Sequence, residues 1–71
     1  MIIEIGIVAG DIWHYLDEHG KARLSELVGK LDKSQELILM SLGWLAREGH
    51  VVLEGDKDYE ISLRKKDLRK K

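Results

Sequence analysis

The chain contains no cysteine and no proline. At 71 residues it is long enough for one domain, in which roughly 60% of the unfolded surface can be buried. Domains this small fold marginally unless a disulfide, a metal, a partner or an efficient core helps them. The absence of cysteine removes disulfides and thiolate metal sites. Three histidines without cysteine make a poor zinc site. Stability must come from packed side chains or from a partner, and 44% hydrophobic residues can supply a core. The absence of proline favours uninterrupted helices.

The net charge of −1 conceals a split. Residues 1–63 carry 12 acidic and 6 basic side chains, a balance of −6. Residues 64–71, RKKDLRKK, carry 6 basic and 1 acidic, a balance of +5. The reading is an acidic domain over 1–63 followed by a basic tail over 64–71. The apolar start MIIEIGIVAGDIW lacks a basic n-region and contains Glu4 and Asp11. It fits neither a signal peptide nor a membrane span, so the expectation is a cytoplasmic protein.

A first helix is expected from about Ile3 to His19. Ile5, Val8, Ala9, Ile12 and Leu16 recur at helical spacing, and Ile2, Trp13 and Tyr15 widen that stripe. Ile3 and Ile7 fall outside it. Gly6 and Gly10 weaken the helix and would permit close approach by another element. Gly20 supplies a left-handed stop. Lys21-Ala22-Arg23-Leu24 is long enough for a brief strand. Ser25 reads as the N-cap of a second helix, Glu26 to about Leu31, with a turn at Asp32-Lys33. Ser34 caps a third helix, about Gln35 to Glu48, in which Glu36 and Arg47 suit the dipole. Gly49 ends it. Val51–Glu54 and Tyr59–Leu63 are short strands joined by a hairpin at Gly55-Asp56-Lys57-Asp58.

This order is that of a winged helix-turn-helix, mainly α with a small β wing. The second and third helices form the helix-turn-helix, the hairpin is the wing, and the strand near Ala22 pairs with it as a third strand. Two stretches strengthen the assignment. Ala9-Gly10-Asp11-Ile12-Trp13 and Ser41-Leu42-Gly43-Trp44-Leu45-Ala46-Arg47-Glu48-Gly49 resemble a small prokaryotic winged helix-turn-helix family of undefined function. The resemblance covers nearly all of the chain except the tail. It implies the fold, and no reaction or ligand. The Leu45-to-Gly49 ending ahead of a hairpin is also similar to bacterial winged-helix regulators more broadly.

Winged helices commonly place the third helix in the major groove. A DNA reading therefore rests on Lys33, Ser34 and Gln35 at the start of that helix, and on Arg64, Lys65, Lys66, Arg69 and Lys70 in the tail. Lys21, Arg23, Lys30 and Lys33 could add phosphate contacts. Against it, the outward arc of the third helix holds Glu36, Leu39, Met40, Gly43 and Arg47. The wing tip sets Glu54, Asp56 and Asp58 against Lys57. A protein-binding reading rests on surplus apolar residues: Ile3 and Ile7 on the first helix, and Leu39, Met40 and Trp44 on the third. These are expected to form a dimer or partner interface, with a homodimer through the first helix and the outer face of the third as the leading form.

No catalytic arrangement is visible. His14 and His19 do not share a helix face, and His19 and His50 each adjoin a helix-ending glycine, where capping is the ordinary role. No phosphate-binding glycine loop, Ser-His-Asp set or cysteine nucleophile appears. Asp17/Glu18 and Asp56/Asp58 lack the surroundings of a calcium loop. The expectation is a non-enzymatic binding module without cofactor, metal or small-molecule ligand and without a membrane association. It is either a DNA-binding transcriptional regulator or a protein-interaction module that kept the fold and lost its basic face.

Overall fold

In the computed structural model, which describes residues 2–64, helix α1 (Ile2–His19) runs unbroken for 18 residues. Gly20 follows at φ 88, a left-handed stop that a side chain would strain. Strand β1 (Lys21–Arg23) leads directly into α2 (Leu24–Leu31). Asp32 turns the chain at φ 55, a conformation aspartate tolerates better than most residues. Helix α3 (Gln35–Arg47) starts at Ser34, whose hydroxyl accepts the Leu37 N–H at 3.2 Å. Strands β2 (Val51–Glu54) and β3 (Glu60–Leu63) form the wing, with Gly55 at φ 99 in the connecting turn.

The three strands form one antiparallel sheet in the order β1-β3-β2. Ile61 lies at its centre, opposite Ala22 on one side and Leu53 on the other. Alternation along β3 buries Ile61 and Leu63 and leaves Glu60 and Ser62 partly exposed. The ladder continues past both ends: Leu24 N–H donates to the Tyr59 carbonyl, and Arg64 N–H to that of His50, each at 2.8 Å.

The core lies between α1, α3 and this sheet. Val8, Ala9, Ile12 and Leu16 line the inner face of α1, while Ile38, Leu42 and Leu45 line that of α3. Leu27 of α2 and Ile61 complete the fully buried set. Ser41 is buried too, and its hydroxyl donates to the Leu37 carbonyl one turn back at 2.8 Å.

Several local expectations are corrected. Helix α2 begins two residues earlier, at Leu24, and its cap position is Arg23, without a side-chain capping bond. Ser25 lies inside the first turn, and its hydroxyl donates to Asp58 instead. Ile2, placed on the buried stripe by its angle, is 79% exposed. The stripe is covered only from Ile5 onward, because the first turn of α1 extends beyond the covered part of the helix. Gly6 and Gly10 have no other atom within 4 Å of an added Cβ, so no described element approaches them closely.

Candidate functional site

The outer surface of α3 is the element a winged helix normally offers to a ligand. Gln35 and Glu36 are exposed in its first turn, and Arg47 is exposed in its last. Between them lie Met40, 41% exposed, and Trp44, 53% exposed. Gly43 opens beside them with nothing within 4 Å of where its Cβ would be. Leu39, expected on this outer arc, is instead half-buried and packed against the core. It stands only about 60° around the helix from fully buried Leu42, close enough to the inner face to be covered.

The expected cationic contacts separate. Lys33, Ser34 and Gln35 sit together, exposed, where α2 turns into α3, and the Ser34 oxygen is occupied as the cap. Lys30 is exposed at the end of α2. Lys21 pairs with Glu60 across β1 and β3 at 3.5 Å. Arg23 donates through Nη1 to the Asp58 carbonyl at 3.4 Å. Two of the four basic residues near the helix-turn-helix are thus engaged within the domain. Arg64 is exposed just after β3, while Lys65, Lys66, Arg69 and Lys70 lie outside the described residues.

The wing is acidic and tied down. The Asp58 carboxylate accepts the Ser25 N–H at 2.9 Å and the Ser25 hydroxyl at 2.8 Å. It thereby does at the start of α2 what a local cap would do. These bonds, the backbone one foremost, hold the Asp58 carboxyl below its ordinary pKa, and the charge of Arg23 adds to the effect. Glu54, Asp56 and Lys57 remain exposed around the turn.

A second polar link joins α1 to α2. The Tyr15 hydroxyl donates to the Glu26 carboxylate. The His19 ring stacks on Tyr15 with centroids 4.1 Å apart, and its Nδ1 lies 2.9 Å from the Tyr15 carbonyl. Neither this link nor the Ser25–Asp58 bond carries a sequence signal, since each joins residues far outside one helical turn. On α1, Ile3 and Ile7 are exposed as expected. Among the described residues no three His, Asp or Glu side chains gather as a metal-binding group.

The element order, the β1-β3-β2 sheet and the α2-turn-α3 unit are those of a winged helix, and sequence comparison agrees. The model of the family described as winged helix-turn-helix domain (DUF2582) matches residues 2–65. The chain belongs to that family. One relative is the uncharacterized protein MJ1608 of the archaeon Methanocaldococcus jannaschii. It is 34% identical over 64 residues, covering 86% of this chain and 91% of the relative. Among solved structures, the solution NMR structure of protein BT2368 from Bacteroides thetaiotaomicron superposes with a TM-score of 0.73 at 38% identity. That match spans 84% of this chain and 74% of the other. The DUF2582 match ends at residue 65, so most of the basic tail lies beyond it. No described helix is long and apolar enough to cross a membrane.

Proposed function

We propose that this DUF2582 domain is a non-enzymatic, cytoplasmic binding module whose α3 docks on a protein surface and does not enter a DNA groove. The observation that carries this reading is the outer stripe of α3. Met40 and Trp44 stand exposed there between Glu36 and Arg47. A base-reading helix needs Arg, Lys, Asn or Gln aimed at base edges. An exposed tryptophan beside a methionine is interface chemistry. The wing adds Glu54 and Asp56, and residues 1–63 carry a balance of −6, an overall charge that disfavours the approach of phosphate to the domain. A chain without cysteine suits the reducing cytoplasm.

A second reading, a DNA-binding transcriptional regulator, is favoured by Lys33 and Gln35 standing open at the start of α3 and by the basic residues from Arg64 onward. Salt titration separates the two. Phosphate contacts give an affinity that falls steeply with salt. The protein-binding reading expects no binding of the full chain to random duplex DNA at 50 mM salt and above. Binding that survives there and is weakened by Lys33→Ala and Gln35→Ala would replace it with the regulator.

A further inference from the structure

Glu36, Met40, Gly43 and Arg47 follow one another along α3 in steps of four, three and four residues. That is the spacing of a seam between two helices crossing at about 20°. At about 100° per residue the four lie within a band of about 60° on the outermost side of α3. All four are exposed. The stripe is also its own complement. Turned about a two-fold axis between residues 41 and 42, it sets Glu36 against the partner's Arg47, and Met40 against the partner's Gly43. Each pair occurs twice. A parallel arrangement would set Glu36 against the partner's Glu36 and Arg47 against the partner's Arg47, which repel.

We infer that the protein surface bound by α3 is the α3 of a second copy of this chain, antiparallel and centred between Ser41 and Leu42. This inference rests on the protein-binding reading above and names its partner. Gly43 fits the same pairing, and among the helical glycines in open space (Gly6, Gly10, Gly29 and Gly43) it is the one that lies on this stripe. Glycine inside a helix is less stable than alanine, and the monomer gives no reason for it. Gly43 has no positive φ, and nothing lies within 4 Å of an added Cβ. In the pair, the missing side chain is the notch that receives the partner's Met40. Trp44 lies on the same flank as Met40, so the Met40 sulfur runs along the partner's Trp44 ring, a favourable contact. The exposed Trp44 surface is covered by that arrangement, as an interface anchor should be.

The test is sedimentation equilibrium of the full chain up to about 100 μM, with charge-swapped variants. The wild type is expected to dimerise. Glu36→Arg and Arg47→Glu each place like charges together and should raise the dimer dissociation constant about tenfold or more. The double variant E36R/R47E should return it to within about threefold of wild type, which a folding defect could not do. Gly43→Leu enters open space in the monomer, so it should keep the fold and abolish the dimer. A monomeric wild type overturns the inference. So does a dimer indifferent to Glu36→Arg and Gly43→Leu, which would be built on another face such as Ile3 and Ile7. Adding duplex DNA to the same samples separates the two failures. A monomer that ignores DNA defeats only the second copy as partner. A monomer that binds DNA through Lys33 and Gln35 defeats the protein-binding reading as well.

Discussion

Tyr15 sits on the margin of the α1 stripe, and its hydroxyl reaches Glu26 on α2. That bond is the main reason the Glu26 carboxyl is held below its ordinary pKa. Partial burial opposes it, while the Arg23 backbone and the charges of His19 and Lys30 reinforce it. A carboxyl lowered in the folded state contributes stability that is complete above its unfolded pKa and is lost as pH falls through the lower folded one. Asp58 has the same sign. Tyr15 is raised by the same bond, so its contribution holds at neutral pH and is lost as alkaline pH rises through its folded pKa. Denaturant unfolding should therefore show stability falling from pH 6 toward pH 3. Tyr15→Phe and Glu26→Gln should each flatten that slope, and Asp58 should maintain the remainder. An unchanged acid slope in Tyr15→Phe would show that the bond has no thermodynamic weight.

Helix starts show what an element needs from its neighbours. Helix α3 brings its own cap, Ser34, three residues before the amide it satisfies. This is a local pattern, readable along the chain. Helix α2 has no such cap, and its first-turn amide is satisfied by Asp58, 33 residues away. The wing and the helix-turn-helix are thereby one mechanical unit. Asp58→Ala should speed hydrogen exchange at the Ser25 amide and lower the melting temperature. Ser25→Ala should have the smaller effect, because its N–H can still donate to Asp58. Equal effects from the two substitutions would mean that the hydroxyl bond, and not the backbone bond, joins the wing to α2. Leu39 carries a related lesson. Its wheel angle places it between two faces, and the packing around α3 left it half-buried.

At the scale of the molecule, one apolar core supports everything. The Cα radius of gyration, 11.1 Å, is that expected of a compact chain of this length, about 11 Å. Ile12 has no exposed surface and sits on the buried face of α1, the helix that packs against α3 and β3. Truncating such a residue to alanine removes about 2–5 kcal/mol, against a total of about 5–15 kcal/mol for a native domain. Thermal melts of Ile12→Ala should show a large loss of stability, or no folded state at all. A loss below about 1 kcal/mol would mean that the core can collapse around the gap. The same scale explains the surface. Thirteen apolar residues close the core, and Met40 and Trp44 are left over on a face that no described element covers.

Most of the fold was legible in residue order. Helical periodicity, Gly20 and Gly49 as stops, Ser34 as a cap and alternation in β3 are short-range relations, and short-range relations survive in a linear string. The acidic balance over residues 1–63 was equally readable, and with it the doubt about a DNA-reading helix. The outward positions of Met40, Ile3 and Ile7 followed from angle alone, while the exposure of Trp44 did not. Long-range packing chose the rest. It left Ile2 bare although its angle pointed inward, half-covered Leu39, whose angle falls between the two faces, and gave the cap of α2 to Asp58 and the partner of Tyr15 to Glu26. Periodicity states which way a side chain points, but burial and hydrogen bonding depend on what the rest of the chain brings to that place.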